Sequence, residues 1–92
     1  MITREGGGLL LSGRLVMSTV PAIYESGLQH LASEDLLVDF STVEAVDSSA
    51  VSMLLGWTRA AQKQGRNLRV KNMPADLTSL AHLYGVDEML PG

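Results

Sequence analysis

The sequence predicts an α/β sandwich in which about three helices pack on a mixed β-sheet of about four strands. Short apolar runs alternate with segments of helical periodicity, and these segments carry recognisable start or stop residues. The resulting order is β-β-α-β-α-β-α, and its two β-α-β units require some parallel pairing with right-handed crossovers. We expect residues 1–92 to form one domain, since a chain of this length can bury one core without metal or disulfide support.

The N-terminal segment is predicted to form a hairpin. Two apolar runs, residues 9–12 and 15–17, flank the turn-like letters SGRL and are interpreted as its strands. No helix follows the glycines at residues 6–8. We therefore interpret them as a flexible connection or a turn to the sheet rather than a phosphate-binding loop.

Three helices and two further strands complete the predicted sandwich. They are a helix over residues 18–33, a strand at 36–40, a helix over 49–64, a strand at 68–70 and a helix over 75–84. Pro21 falls in the first turn of the first helix, where its missing N–H costs little. Gly65 and Gly85 are expected to stop the other two helices. The last helix should turn one face to the core, formed by Leu77, Leu80, Ala81 and Tyr84.

The middle helix is apolar on more than its core side, which is typical of a helix covered on two sides. Its three rows are an expected core stripe (Val51, Leu54, Leu55, Thr58, Ala61 and Gln62), a second flank (Met53, Trp57 and Ala60) and a small-and-basic row (Ser52, Gly56, Arg59 and Lys63). Trp and Met are favoured at the cores of protein interfaces. Trp57 is therefore expected either beside a partner contact or packed under a neighbouring loop.

Asp47, Ser48 and Ser49 precede this helix and allow two interpretations. Each can cap a helix N-terminus, and one cap stabilises a helix by about 1 kcal/mol. One cap leaves two polar residues unexplained. The loop also follows a strand, where open α/β sheets usually place their sites, and a phosphate there would meet the positive end of the helix dipole. The alternatives are a cap alone and a functional surface.

Composition argues against several other classes of protein. The net charge of −3 gives no basic footprint for nucleic acid, and the absence of cysteine excludes a disulfide framework. No apolar run approaches a membrane span or a signal peptide, so we expect a cytoplasmic protein. His30 and His82 lack partners at metal-ligand spacing, and no nucleotide fingerprint is present. We expect no cofactor, no metal site and no enzyme activity; a hydrolase using Ser48 is the remaining catalytic alternative.

The segment LLVDFSTVEAVDSSAVSMLL, residues 36–55, resembles the signature of STAS domains, the family of sulfate transporters and anti-sigma-factor antagonists. The resemblance implies a STAS-like sandwich over the whole chain. In the antagonists the hydroxyl residue after the Asp is phosphorylated by a partner kinase, and by position this residue is Ser48. The family often carries Gly two residues further on, where this sequence has Ala50.

The C-terminal half narrows the resemblance. The stretches AQKQG (residues 61–65) and LAHLYGVDEMLP (residues 80–91) are similar to the small STAS subunit of Mla-type phospholipid ABC transporters. This implies a cytoplasmic module that binds the ATPase subunit and reaches the inner membrane only through its partner complex. The alternative is an anti-sigma-factor antagonist, regulated by a serine kinase at Ser48, whose partner is the anti-sigma factor. The expected partner contact comprises Asp47, Ser48, Ser49, Ser52, Gly56 and Arg59, flanked by Trp57.

Overall fold

The computed structural model describes residues 2–5 and 8–90, and this part of the chain contains one four-stranded sheet and three α-helices. The elements in chain order are β1 (Ile2–Glu5), β2 (Gly8–Leu15), α1 (Val20–Leu31), β3 (Leu36–Val46), α2 (Ser48–Gln64), β4 (Leu68–Lys71), α3 (Ala75–Leu83) and a 3-10 helix (Asp87–Met89). The predicted order β-β-α-β-α-β-α is present, but its first two strands lie at other residues than those predicted.

The sheet is mixed, as predicted, with the strand order β1-β2-β3-β4. β1 is antiparallel to β2, whereas β2, β3 and β4 run parallel and are connected by α1 and α2. Side chains alternate between two faces along the central strand β3: Leu36, Val38 and Phe40 are buried, whereas Leu37 between them is exposed. Buried residues of β2, β3 and all three helices form one core cluster.

The predicted hairpin within residues 9–17 is wrong, because β2 is one continuous strand. Gly13 adopts a left-handed φ of +78°, which glycine tolerates without strain, and the register between β2 and β3 shifts on both sides of Ser12–Gly13. Beyond this irregularity Leu15 still pairs with Val46. The letters SGRL therefore mark a bend inside a strand rather than a turn between two strands.

The antiparallel hairpin lies instead between β1 and β2, with Thr3 opposite Leu10. Gly6 and Gly7 lie outside the described residues, so the interpretation of the glycine stretch stays a prediction; Gly8 begins β2. β3 also extends beyond the predicted residues 36–40. Its polar second half continues because it pairs with β2, and the Thr42 hydroxyl donates a hydrogen bond to the Leu11 carbonyl oxygen (2.8 Å).

α1 and α2 pack through two glycine–aromatic contacts, which we call the α1–α2 seam (Tyr24, Gly27, Gly56 and Trp57). The Trp57 indole lies against Gly27, and a Cβ on that glycine would come within 2.2 Å of Trp57 Cε2. Gly56 lies under the Tyr24 ring, where a Cβ would come within 2.6 Å of Tyr24 Cε1. Trp57 Nε1 donates a hydrogen bond to the Tyr24 carbonyl oxygen (2.9 Å).

The predicted core stripe of α2 is wrong in part. Helical periodicity places Trp57 and Met53 on a second flank, yet both are buried. Of the residues in the predicted stripe, Gln62 is exposed and Leu55 is half-buried. The buried residues of α2 are Ala50, Val51, Met53, Leu54, Trp57 and Ala61. The core side is broader than one helical stripe because α1 covers the flank that the sheet leaves open.

The ends of the helices follow the predicted signals. α2 ends at Gly65 in the left-handed conformation (φ 68°), as predicted. Gly85 takes the same conformation (φ 70°) just after α3. The prediction that Tyr84 faces the core is wrong, since its side chain is 52 % exposed. Tyr84 is the C-cap of α3, where the chain leaves the helix, so the helical periodicity no longer sets its direction.

Candidate partner-binding site around Ser48

The segment from Asp47 to Ser49 lies at the edge of the sheet where the parallel strands β2 and β3 end. Leu15 and Val46, the last residues of these strands, are paired, and the Asp47 N–H donates a hydrogen bond to the Leu15 carbonyl oxygen (3.1 Å). The first turn of α2 therefore begins at the carboxyl ends of the strands, which is the usual position of sites in open parallel sheets.

Asp47 caps α2 and attaches it to the end of β2. Its Oδ1 accepts hydrogen bonds from the Ser49 N–H (2.8 Å) and from the Ser49 hydroxyl, while Oδ2 accepts from the Met17 N–H (3.0 Å). The side-chain hydrogen bond from Ser49, followed by the two backbone N–H donors, lowers the pKa of Asp47 below its usual value, because these contacts favour the charged form. Asp47 therefore holds the loop in place, and its carboxylate is already engaged.

The two serines have different environments. The Ser49 hydroxyl is bound to the cap and is half-buried. Ser48 is exposed, and no described residue forms a hydrogen bond with its hydroxyl. Ser48 is thus the serine of the pair whose hydroxyl is open to a partner or a modifying enzyme. This difference in accessibility could not be read from the letters DSS alone.

Ser48 is also one wall of an apolar groove of about 380 Å³ that runs between α2 and the chain after α3. The residues that line this groove, which we call the Ser48 groove, are Ser48, Val51, Ser52, Leu55, Tyr84 and Val86. A neighbouring cleft of about 360 Å³ is lined by Val46, Asp76, Ser79, Leu80 and Leu83. Leu83 is 74 % exposed. Large exposed apolar side chains beside a groove are typical of protein-binding surfaces.

The residues predicted for the partner contact divide into three groups. Ser48, Ser52 and Arg59 lie on the exposed side of α2. Asp47 and Ser49 form the cap.

The third group, Gly56 and Trp57, belongs to the α1–α2 seam. Trp57 has no exposed surface, so its predicted place flanking the contact is wrong; the alternative interpretation, that Trp57 packs against its own chain, is the better one. It packs on a helix rather than under a loop. Gly56 is half-buried beneath Tyr24 and offers little surface to a partner.

Sequence reasoning missed the apolar half of the surface. Helical periodicity places Leu55 in the core stripe of α2 and Tyr84 on the buried face of α3, yet both line the Ser48 groove. The sequence does indicate that Leu83 is exposed, because this residue falls outside the expected core positions of the last helix. No sequence pattern indicates the exposure of Met17, which is 75 % exposed and donates its N–H to Asp47.

Two further kinds of feature are absent from the part of the chain that the structure describes. No three His, Asp or Glu side chains within residues 2–5 and 8–90 are close enough together to hold a metal ion. In the same part of the chain, every helix is too short or too polar to cross a membrane.

Comparison with known proteins gives the family. The family model described as "Mlab, STAS domain" matches residues 2–91. The chain belongs to this STAS family. STAS domains are protein-interaction modules and are generally non-catalytic. A comparison with curated proteins finds no match.

Solved structures confirm the STAS fold. The anti-sigma-factor antagonist SpoIIAA in its unphosphorylated form superposes with a TM-score of 0.75 at 16 % identity, over 97 % of this chain and 83 % of that one. The Bacillus cell fate determinant SpoIIAA in its phosphorylated form gives a TM-score of 0.73 at 16 % identity, over 97 % and 86 %. A protein described as Mglu gives 0.63 at 15 % identity, over 82 % of this chain and 20 % of that one. The fold of this STAS chain is therefore related to that of the anti-sigma-factor antagonists.

Proposed function

We propose that this chain is a non-catalytic STAS module that binds and supports the ATPase subunit of an Mla-type ABC transporter for intermembrane phospholipid transport. The observation that carries the proposal is the match of residues 2–91 to the family described as "Mlab, STAS domain". In this proposal residues 1–92 act as a single domain. The protein is cytoplasmic and meets the inner membrane only through its partner complex, and it needs no cofactor or nucleic acid.

The geometry around Ser48 supports a docking surface on this side of the domain. The hydroxyl of Ser48 is exposed at the rim of an apolar groove, and Ser52 beside it is small enough to let a partner approach α2 closely. The Asp47 cap holds the first turn of α2 by hydrogen bonds to both flanking segments, so the surface is ordered before a partner arrives. A preordered surface loses less conformational entropy on binding.

The experiment that tests the proposal is purification of the tagged chain from its native cells in mild detergent. We expect an ABC ATPase and its permease to be recovered with it. Recovery of neither, with the chain itself intact, would contradict the proposal.

Two serine variants then locate the contact. Ser48→Glu should reduce recovery of the ATPase, because it places an unpaired charge at the rim of an apolar contact. Ser33→Glu is the matched control, since Ser33 is exposed at the far end of α1. Equal recovery with both variants would place the contact elsewhere.

A second candidate function is an anti-sigma-factor antagonist that phosphorylation of Ser48 regulates. It is favoured by the structural similarity to SpoIIAA, solved in unphosphorylated and phosphorylated forms, and by the exposed hydroxyl at the N-terminus of α2. A phosphate there would add about −1.5 to −2 charges at the positive end of the α2 dipole, which the fold would tolerate. Recovery of a small kinase-like ATPase without a permease, with phosphate on Ser48 by mass spectrometry, would favour this candidate.

A further inference from the structure

The outward side of α2 carries a row of residues that the fold leaves uncovered. Ser48, Ser52, Leu55 and Arg59 recur at helical spacing and share one face of the helix. Ser48, Ser52 and Arg59 are exposed, and Leu55 is half-buried in the wall of the Ser48 groove. This row, which we call the outer row, combines two small residues, one large apolar residue and a positive charge at its C-terminal end.

The charges in and beside the outer row separate by sign. Negative charge lies beside its N-terminal end, on the half-buried Asp47 carboxylate that Met17 and Ser49 engage, and on the exposed Asp76 in the neighbouring cleft. The positive charge is towards the C-terminal half, where Arg59 and Lys63 are both exposed and one turn apart. Such a row is complementary to an inverted copy of itself.

We infer that a second copy of this chain docks on the outer row, with the two α2 helices antiparallel across a two-fold axis between Ser52 and Leu55. An axis at that point sets Ser52 of each copy against Leu55 of the other, so that a large side chain meets a small one. It also sets Ser48 and the adjoining Asp47 against Arg59 of the other copy. The antiparallel arrangement aligns the two helix dipoles favourably, and a self-complementary patch is what a two-fold interface requires.

Apolar surface next to the outer row supports the same occupant. Tyr84 forms the opposite wall of the Ser48 groove and is 52 % exposed, so it can cover the Leu55 side chain that the second copy inserts. Aromatic residues at the centre of a patch with charges at its rim are typical of protein interfaces. A partner carrying charge of one sign would match only one end of the outer row, whereas a second copy matches both.

This homodimer would cover the surface that the proposed partner uses, so self-association and partner binding exclude each other. A charge on Ser48 then favours the homodimer, because it faces Arg59 of the second copy and can form a charge-assisted contact. The same charge opposes docking of the ATPase under the proposed function. The inference of self-association itself does not rest on the proposed function.

The test is sedimentation velocity on the purified chain, from micromolar to millimolar concentration. We expect reversible dimerisation, tightened about tenfold by Ser48→Glu and weakened about tenfold by Arg59→Glu, since each change acts twice in a two-fold interface. The charge exchange Ser48→Lys with Arg59→Glu should restore affinity relative to Arg59→Glu alone. Arg69→Glu is the matched control, because Arg69 is exposed on β4 and makes the same charge change away from α2.

Several outcomes would overturn the inference. A chain that stays monomeric throughout, with Ser48→Glu monomeric as well, would show that no second copy occupies the outer row. An equal loss of affinity in Arg59→Glu and Arg69→Glu would place the contact elsewhere. Circular dichroism on each variant confirms that it is folded. These measurements use no partner, so they stand whether or not the native-cell purification recovers an ATPase.

Discussion

The two sides of α2 differ in how their small residues are used. On the inward flank, Gly56 and Trp57 interlock with Tyr24 and Gly27 of α1, and neither glycine has room for a Cβ without movement of the facing aromatic ring. On the outward side the small residues Ser48 and Ser52 are exposed next to an apolar groove. The first arrangement fixes the helix in the domain, and the second leaves a surface for another protein.

This contrast separates stability from binding within one helix. A buried, interdigitated contact loses free energy when any of its atoms is removed or crowded. An exposed side chain contributes little to folding, and its replacement is felt only when a partner covers it. Changes at the buried centre of the α1–α2 seam should therefore lower the free energy of unfolding, whereas changes in the outer row should alter binding alone.

The largest effect on stability is expected for Trp57→Ala. It empties the centre of the seam and leaves the Tyr24 carbonyl without its indole donor, which should lower the free energy of unfolding by about 3–5 kcal/mol. Urea denaturation followed by far-UV circular dichroism measures the loss. Trp57→Phe keeps much of the volume and should lose clearly less. A loss below about 1 kcal/mol for Trp57→Ala would show that the seam does not hold the two helices together.

Alanine substitutions at the two glycines of the seam, made one at a time, compare its two glycine–aromatic contacts. Gly27→Ala sets a methyl group against the fully buried Trp57 ring, which cannot move away, and should cost about 1–3 kcal/mol of unfolding free energy. Gly56→Ala meets the outer end of the half-buried Tyr24 ring, which can swing aside, and gains helix propensity. Its stability should stay within about 1 kcal/mol of the native chain. Equal losses in both variants, measured by urea denaturation, would contradict this account of the seam.

Asp47 caps the N-terminus of α2, and the contribution of this cap to the free energy of unfolding should depend on pH. Because hydrogen bonds lower the folded-state pKa of Asp47, its carboxylate stabilises the fold fully above about pH 4 and loses this contribution as the pH falls through the folded-state pKa. Asp47→Asn keeps an oxygen that can accept the Ser49 N–H, but its amide nitrogen cannot accept the Met17 N–H, so this variant should be less stable by about 1 kcal/mol at neutral pH. The difference should shrink in acid, as urea midpoints at several pH values would show. A difference that does not change with pH would contradict the role of the charged cap.

The smallest effect on stability is expected for Ser48→Glu. The side chain is exposed, so the free energy of unfolding should change by no more than about 0.5 kcal/mol. The same variant should nevertheless lose ATPase recovery in the native-cell purification. A large loss of stability would mean that the outer row is part of the core packing, and the separation between the two sides of α2 would fail.

Much of the fold could be predicted from the sequence because its signals act over one or two turns of chain. Asp47 next to Ser48 and Ser49 predicted the start of α2, and Gly65 its end, since caps and left-handed glycines involve only neighbouring residues. The letters SGRL misled because Gly13 is equally compatible with a turn and with a bend inside a strand. Pairing with residues of β3, about thirty positions away in the chain, decides between them.

Local backbone preferences that can be read in the sequence specify the order of the elements from α1 onwards, the ends of α2 and the place of Ser48 at its N-terminus. Which side of α2 is covered depends instead on tertiary packing. Trp57 and Leu55 are both apolar and two positions apart, but α1 packs on Trp57 and nothing in the described residues fully covers Leu55. Such choices depend on residues distant in the chain, so no local pattern could specify them.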